Sequence, residues 1–262
     1  MKITFEIYYH TRWGESLFLS GNIDELGANE ENRAVMMDYQ GDGLWKYTME
    51  LPASAKKFHY EYLVKSGEGI RREWGSPHSF SPGRNDGEYR LVDRWRDVPA
   101  DLPFYSSAFI QGIFFRQHAD SVVETIDPGT LTVKVDASQL RPDERLVMVG
   151  DCPELGDWDV LKAPLLNDSA FPEWQITLDG RQLKFPFEYK FVIVRTHQRE
   201  VVAWETGENR ICREKPQNPS EAVVVSGLRF NGSESQWRGA GTAIPVFSLR
   251  TDYGFGIGEF ID

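Results

Sequence analysis

Five histidines, two cysteines, eight tryptophans and one glycine-dense segment are the places where this chain of 262 residues could do chemistry. His10, His59, His78, His118 and His197 lack the short spacings that bring two ring nitrogens to one metal, so each reads as a structural or surface residue and no metal is expected. Cys152 and Cys212 are too few for a disulfide framework and read as reduced thiols. No HExxH, GxSxG or P-loop pattern occurs, and Gly254-Phe255-Gly256-Ile257-Gly258 lacks the strand–glycine–helix spacing of a dinucleotide site. Neither a catalytic residue nor a cofactor is expected. The tryptophans are more informative. Trp158 lies between Asp157 and Asp159 in a turn, where a core tryptophan would be awkward, so its ring is expected to face a ligand. Trp204 follows apolar Val201, Val202 and Ala203, which also suits a core, and is read as ligand-facing. Trp45 and Trp174 precede alternating strands and are expected in cores.

The elements that position these residues are duplicated. Gly21, Glu25, Leu26, Gly27, Trp45, Phe58 and Tyr60 each recur 129 positions later, as Gly150, Glu154, Leu155, Gly156, Trp174, Phe187 and Tyr189. Trp74 and Trp204 match with a slip of one. Two copies of one domain follow, near 1–96 and 130–230. The hydrophobic period is two: Ile3, Phe5 and Ile7, then Phe58, Tyr60 and Tyr62, and in the second copy Phe187, Tyr189 and Phe191. Short strands separated by turn clusters such as Gln40-Gly41-Asp42-Gly43 predict an all-β protein, two antiparallel immunoglobulin-like β-sandwich domains in tandem. Between them, residues 97–129 are dense in aromatics (Phe104, Tyr105, Phe109, Phe114, Phe115). Such a linker is expected to pack on one or both modules.

The net charge of −11 disfavours nucleic acid and anionic membrane surfaces, which call for clustered lysine and arginine, and suits a neutral ligand. The N-terminus has no apolar run of signal-peptide length, and nowhere do 18 apolar residues run together, so a soluble, cytoplasmic protein is expected.

The string GDCPELGDWD, then Trp174, FEYK at 187–190 and WETGENR at 204–210, resembles the family-20 starch-binding modules. The resemblance implies a β-sandwich and an α-glucan partner, starch, glycogen or a maltooligosaccharide. It implies a site of Trp158, Lys190, Trp204 and Asn209, with Glu205 beside them. The chemistry is consistent. A glucose unit presents an apolar C–H face ringed by hydroxyls, so flat aromatic platforms edged by donors and acceptors suit it. Covering about 50 Å² of that face contributes on the order of 1 kcal/mol per platform.

In the first copy Asn29 stands at the place of Trp158 and Glu61 at that of Lys190, while Trp74 remains as a candidate contact. The family's second kind of site uses aromatics in two other loops, for which the first copy offers Trp13 and Tyr39. The second copy has Pro142 and Asp168 there. The copies therefore look complementary, one site each.

The tail, with WRGAG, PVFSLR and YGFGIGEF, resembles the opening of a family-77 4-α-glucanotransferase barrel, so 231–262 is expected to be the truncated start of a (β/α)8 domain. That family's catalytic carboxylates would lie beyond Asp262. The expectation is the α-glucan-binding region of a 4-α-glucanotransferase. Its rivals are a glycogen-sensing or scaffolding protein using the same modules without catalysis, and a sandwich interaction domain with no sugar function.

Overall fold

A computed structural model describes residues 1–52, 57–83, 87–99, 102–113 and 125–232. The first copy contributes β1 (Lys2–Tyr8), β2 (Ser16–Gly21), β3 (Val35–Met36), β4 (Asp38–Gly41), β5 (Leu44–Glu50), β6 (Phe58–Ser66), β7 (Gly69–Arg72), β8 (His78–Phe80) and β9 (Glu88–Arg94). A short helix, α1 (Ser107–Gly112), follows. The second copy contributes β10 (Thr130–Asp136), β11 (Glu144–Gly150), β12 (Asn167–Ala170), β13 (Glu173–Asp179), β14 (Phe187–Arg195), β15 (Val201–Trp204), β16 (Arg210–Cys212) and β17 (Glu221–Arg229). The barrel opening expected at 231–262 lies outside the described residues from 233 on, as do His118, Phe114 and Phe115.

Each copy stacks two sheets, as the period-two pattern requires. Trp45 and Trp174 are buried, and each indole N–H donates to a carbonyl, Tyr9 O at 3.0 Å and Ala137 O at 2.9 Å. The repeated glycines have a steric cause: a Cβ on Gly21 would lie 2.5 Å from His59 O, and one on Gly150 would lie 2.4 Å from Glu188 O. Strand β2 or β11 can pass its neighbour there only without a side chain.

The arrangement of the two copies departs from the expectation of two antiparallel sandwiches in tandem. One sheet of eight strands, in the order β12-β13-β10-β17-β9-β1-β5-β4, runs through both modules. Its four central strands are mutually parallel: β9 pairs β1, β17 pairs β10, and β17 pairs β9 across the modules, from Glu221↔Glu88 to Ser226↔Asp93. Ala222 and Val224 enter the first module's core with Tyr89 and Leu91, whereas Val223 and Val225 enter the second's with Val92. Successive side chains point to opposite faces of a strand, so the two cores lie on opposite faces of the shared sheet at this seam. The five-stranded sheet β3-β2-β6-β7, with β8 beside β6, covers one core, and the four-stranded sheet β11-β14-β15, with β16 beside β14, covers the other. A strand buried on both faces reads as a continuous apolar run, and Ala222-Val223-Val224-Val225 is such a run.

Polar groups key the seam. Asp93, with no exposed surface, accepts from Tyr60 at 2.9 Å, from Tyr62 at 2.6 Å, and from Ser226 of the second module. Burial, with Asp93 next to them, raises both phenols well above the usual tyrosine range. His78 links Ser226 to Glu73, 3.1 Å on each side, and Arg96 donates to Glu73 at 3.0 Å. Burial alone would raise the Glu73 carboxyl, but His78 and Arg96 outweigh it and hold it down at about 2. A carboxylate lowered on folding stabilises the native state fully above the unfolded-chain value and loses that contribution as pH falls toward 2. Stability is therefore expected to drop below about pH 4.5. Glu73→Gln, followed by urea melts from pH 7 to pH 3, should flatten that acid slope, and an unchanged slope would exclude Glu73 as its source.

The linker packs on both modules where it is described. Ile110 of α1 is buried in the second core and Ile126 in the first. Tyr105 meets Trp74 edge-on, with centroids 5.2 Å apart.

Candidate functional site

Lys190, Trp204 and Trp158 lie on the outer face of the four-stranded sheet. Phe187, Tyr189 and Phe191 of β14 point to the core, so Glu188, Lys190 and Val192 point outward. Trp204 is the cross-strand partner of Val192 and shares its face, with 43% of its surface exposed. Trp158, half-buried, packs on the small cluster of Val147, Val149, Val192 and Val194 on that same face. Lys190 donates to Glu205 O at 3.1 Å and Gly207 O at 2.6 Å, which fixes the ammonium between β14 and the loop after Trp204. Asn209 is exposed on that loop and donates to Glu188 at 2.8 Å. The four residues thus line one face without burying their polar groups.

Glu205 faces the other way. Its carboxylate is buried against the Arg210 guanidinium and accepts from the Phe191 N–H at 3.3 Å and the Asn231 N–H at 3.2 Å. Its carbonyl, by contrast, holds Lys190. It braces the loop from beneath.

The first copy has the same backbone with different side chains. The Asn29 N–H donates to Gly21 O at 2.6 Å as the Trp158 N–H donates to Gly150 O at 2.7 Å, so Asn29 occupies the Trp158 position. Glu61, at the Lys190 position, is ion-paired to Arg72, which also pairs with Glu31. The partner of Leu63 in β7 is Arg72, just as the partner of Val192 in β15 is Trp204. Glu73 confirms this register: it accepts the Tyr62 N–H as Glu205 accepts that of Phe191. Arg72, and not Trp74, therefore stands where Trp204 does, and the slip of one residue read from the sequence is not the pairing the strands adopt. Trp74 lies at the seam instead. Its indole has the Arg229 guanidinium over it at 5.2 Å and Tyr105 at its side.

Trp13 and Tyr39 sit at one end of the first module. Trp13 is fully exposed at the tip of a turn closed by the Arg12 N–H to Glu15 carboxylate bond, 2.8 Å. The second copy closes the same turn with the Arg141 N–H to Glu144, 2.9 Å, and has Pro142 at the tip. Tyr39 is 56% exposed, packs against Trp45 with ring planes tilted by 52° and centroids 5.1 Å apart, and accepts the Gly43 N–H at 3.2 Å. The Tyr9 N–H, at the base of the Trp13 loop, donates to Gly43 O at 2.7 Å, so both aromatics hang from one turn. In the second copy Asp168 takes the Tyr39 position and lies 3.7 Å from Arg145.

Among the described residues no cluster of histidine, cysteine and acidic side chains could hold a metal ion, and no helix is long and apolar enough to cross a membrane. His78, one of the scattered histidines, is a member of the seam network.

Known proteins are similar to this chain. The chain is 29% identical over 282 residues to a rice (Oryza sativa subsp. japonica) 4-alpha-glucanotransferase DPE2, covering 99% of this chain and 29% of that one. This chain thus spans less than a third of that relative's length. Over 71 residues it is 34% identical to the AA13 family lytic polysaccharide monooxygenase A of Aspergillus terreus, 26% of this chain and 18% of that one. Among solved structures, the family 20 carbohydrate-binding module of a maltotetraose-forming amylase from Pseudomonas saccharophila superposes with a TM-score of 0.30 at 20% identity, covering 37% of this chain and 99% of that one. The starch binding domain model matches twice, over residues 1–83 and 130–223, once on each copy. The chain therefore belongs to the starch-binding domain family, with two of its domains in tandem.

Proposed function

We propose that this chain is the α-glucan-binding region of a 4-α-glucanotransferase that transfers glucosyl units between α-1,4-glucans, and that its two modules bind glucan through different faces. The second module uses Trp158 and Trp204 as platforms, with Lys190 and Asn209 donating to hydroxyls at their edges. The first uses Trp13 and Tyr39. Glu205 supports the loop of the second face through Arg210 and Lys190, and we assign Trp74 to the seam.

The observation that carries this reading is the exchange between copies at equivalent backbone positions. Trp158, Lys190 and Trp204 of one copy are Asn29, Glu61 and Arg72 in the other, where Glu61 and Arg72 pair with each other. Trp13 and Tyr39 are replaced in turn by Pro142 and Asp168. A fold that needed these tryptophans for stability would keep them in both copies, as it keeps Trp45 and Trp174.

In a Trp13→Ala background, which leaves only the second face, Trp158→Ala and Trp204→Ala should each weaken maltoheptaose binding by about tenfold, the loss of one platform of on the order of 1 to 2 kcal/mol. The thermal midpoint should fall only slightly for Trp204→Ala, whose ring is 43% exposed, and further for Trp158→Ala, whose half-buried ring also covers Val147, Val149, Val192 and Val194. Titration calorimetry measures the first and a melting curve the second. Parental affinity in both variants would remove the second face from the proposal.

A further inference from the structure

The loop that presents Trp158 has a backbone that most side chains avoid. Gly156, Asp157 and Trp158 have φ of 83°, 49° and 64°, three successive residues in the left-handed region, two of which carry a Cβ. Such a run persists only where its surroundings over-determine it. The first copy repeats it at Gly27, Ala28 and Asn29, with φ of 83°, 52° and 65°. The run thus belongs to the fold. What restrains the residues after it differs between the copies.

In the second copy, residues 159–163 close a turn through the Lys162 and Ala163 N–H groups, which donate to Asp159 O at 2.9 and 3.0 Å. The carbonyls at the end of this turn converge on one guanidinium nitrogen: Arg199 Nη1 donates to Ala163 O at 2.6 Å and Leu161 O at 2.9 Å, with Val160 O at 3.5 Å. Arg199 belongs to the connection between β14 and β15, itself at a φ of 51°. A cation facing the free carbonyls at the end of a helical turn has the favourable polarity. The first copy joins β6 to β7 by a two-residue turn, Gly67-Glu68, with no long cation, and there the Glu31 carbonyl is held by Lys65 from β6 itself.

We propose that Arg199 is a positioning residue for glucan binding. It ties the loop bearing Trp158 to the hairpin that leads into Trp204, so that the two indoles are set at a fixed separation before the sugar arrives. Ordering that loop in advance removes a cost that binding would otherwise meet. The inference rests on the reading that Trp158 and Trp204 serve one ligand.

The test uses the full chain in a Trp13→Ala background, which isolates the second face, with maltoheptaose as the probe. Arg199→Ala should weaken binding about fivefold, the effect of a binding loop that must be ordered by its ligand. Amide hydrogen exchange should accelerate across 157–163 and remain parental in β11 and β14. Arg199→Lys keeps the charge but not the rigid fork, and should recover only part of the affinity; it also carries the test if the alanine variant does not fold. Trp158→Ala combined with Arg199→Ala should bind no worse than Trp158→Ala alone, because Arg199 acts only through that indole. Parental affinity in Arg199→Ala while Trp158→Ala is weakened would overturn the inference and leave the site standing, as would an added loss in the double variant. Parental affinity in Trp158→Ala would instead overturn the site itself.

Discussion

Asp93→Ala is expected to destabilise both modules together, by on the order of 3–5 kcal/mol, although Asp93 belongs to the first alone. The carboxylate accepts three buried hydroxyls, from Tyr60, Tyr62 and, across the seam, Ser226. Without it each hydroxyl loses its acceptor in a region closed to water, at about 1 to 3 kcal/mol apiece. The seam then has to hold by its apolar residues, of which Val223, Val224 and Val225 are shared between two cores. Because β17 pairs with β9 from Glu221 to Ser226, neither module can lose its central strands without exposing the other. The parent should melt in one calorimetric transition, and the Asp93→Ala variant in one transition at lower temperature. Asp93→Asn, which keeps the volume and one acceptor oxygen, should lose less. Two separate transitions, with only the first lowered, would show that the shared sheet does not couple the modules.

Polymer binding should fall about 100-fold when either face is removed, far more than binding of short oligosaccharides. The shared sheet sets this expectation. Tyr39 lies on β4, three strand spacings or roughly 15 Å beyond β9, whereas Trp158 and Trp204 lie outside a second layer that covers the opposite face of the sheet at the seam. A rigid joint holds the two faces apart. A chain of a few glucose units engages one face at a time. A glucan polymer engages both, and the second contact is then intramolecular, with an effective concentration fixed by the joint. On glycogen, Trp13→Ala and Trp158→Ala should each lose most of the avidity, and the double variant should lose little more than the single-face remainder. On maltotetraose, Trp13→Ala should remove one binding event and leave the other unchanged. Small additive losses on glycogen would mean that the faces act independently, and no loss from Trp13→Ala on either ligand would make the first module a spacer.

The residues that the sequence singled out correctly are those whose environment is set locally. A period of two places alternate residues on opposite faces of a strand whatever that strand pairs with, so Phe58, Tyr60, Phe187 and Tyr189 were legible as core. Trp158 between two aspartates was read as a turn residue, and it lies in one; the turn that raises Trp13 recurs as the Arg12–Glu15 and Arg141–Glu144 bonds at the same offset of 129 residues. Pairing between distant strands has no such local signature. The sequence alone aligned Trp74 with Trp204 because the residue types agreed, but the longer β14–β15 connection moves the offset to 132, so that Glu73 matches Glu205 and Arg72 matches Trp204. The same holds for the seam. The apolar run at 222–225 marks a strand buried on both faces, but it does not name the strand that pairs with its second edge. That strand is β9, and the Ser226 hydroxyl meets its acceptor there only once the folded first module has brought Asp93 to the seam. Arg199 is the clearest instance. Nothing in its sequence neighbourhood distinguishes it from a solvated turn residue, and its partners at 160, 161 and 163 come within reach only after β11 and β14 have paired.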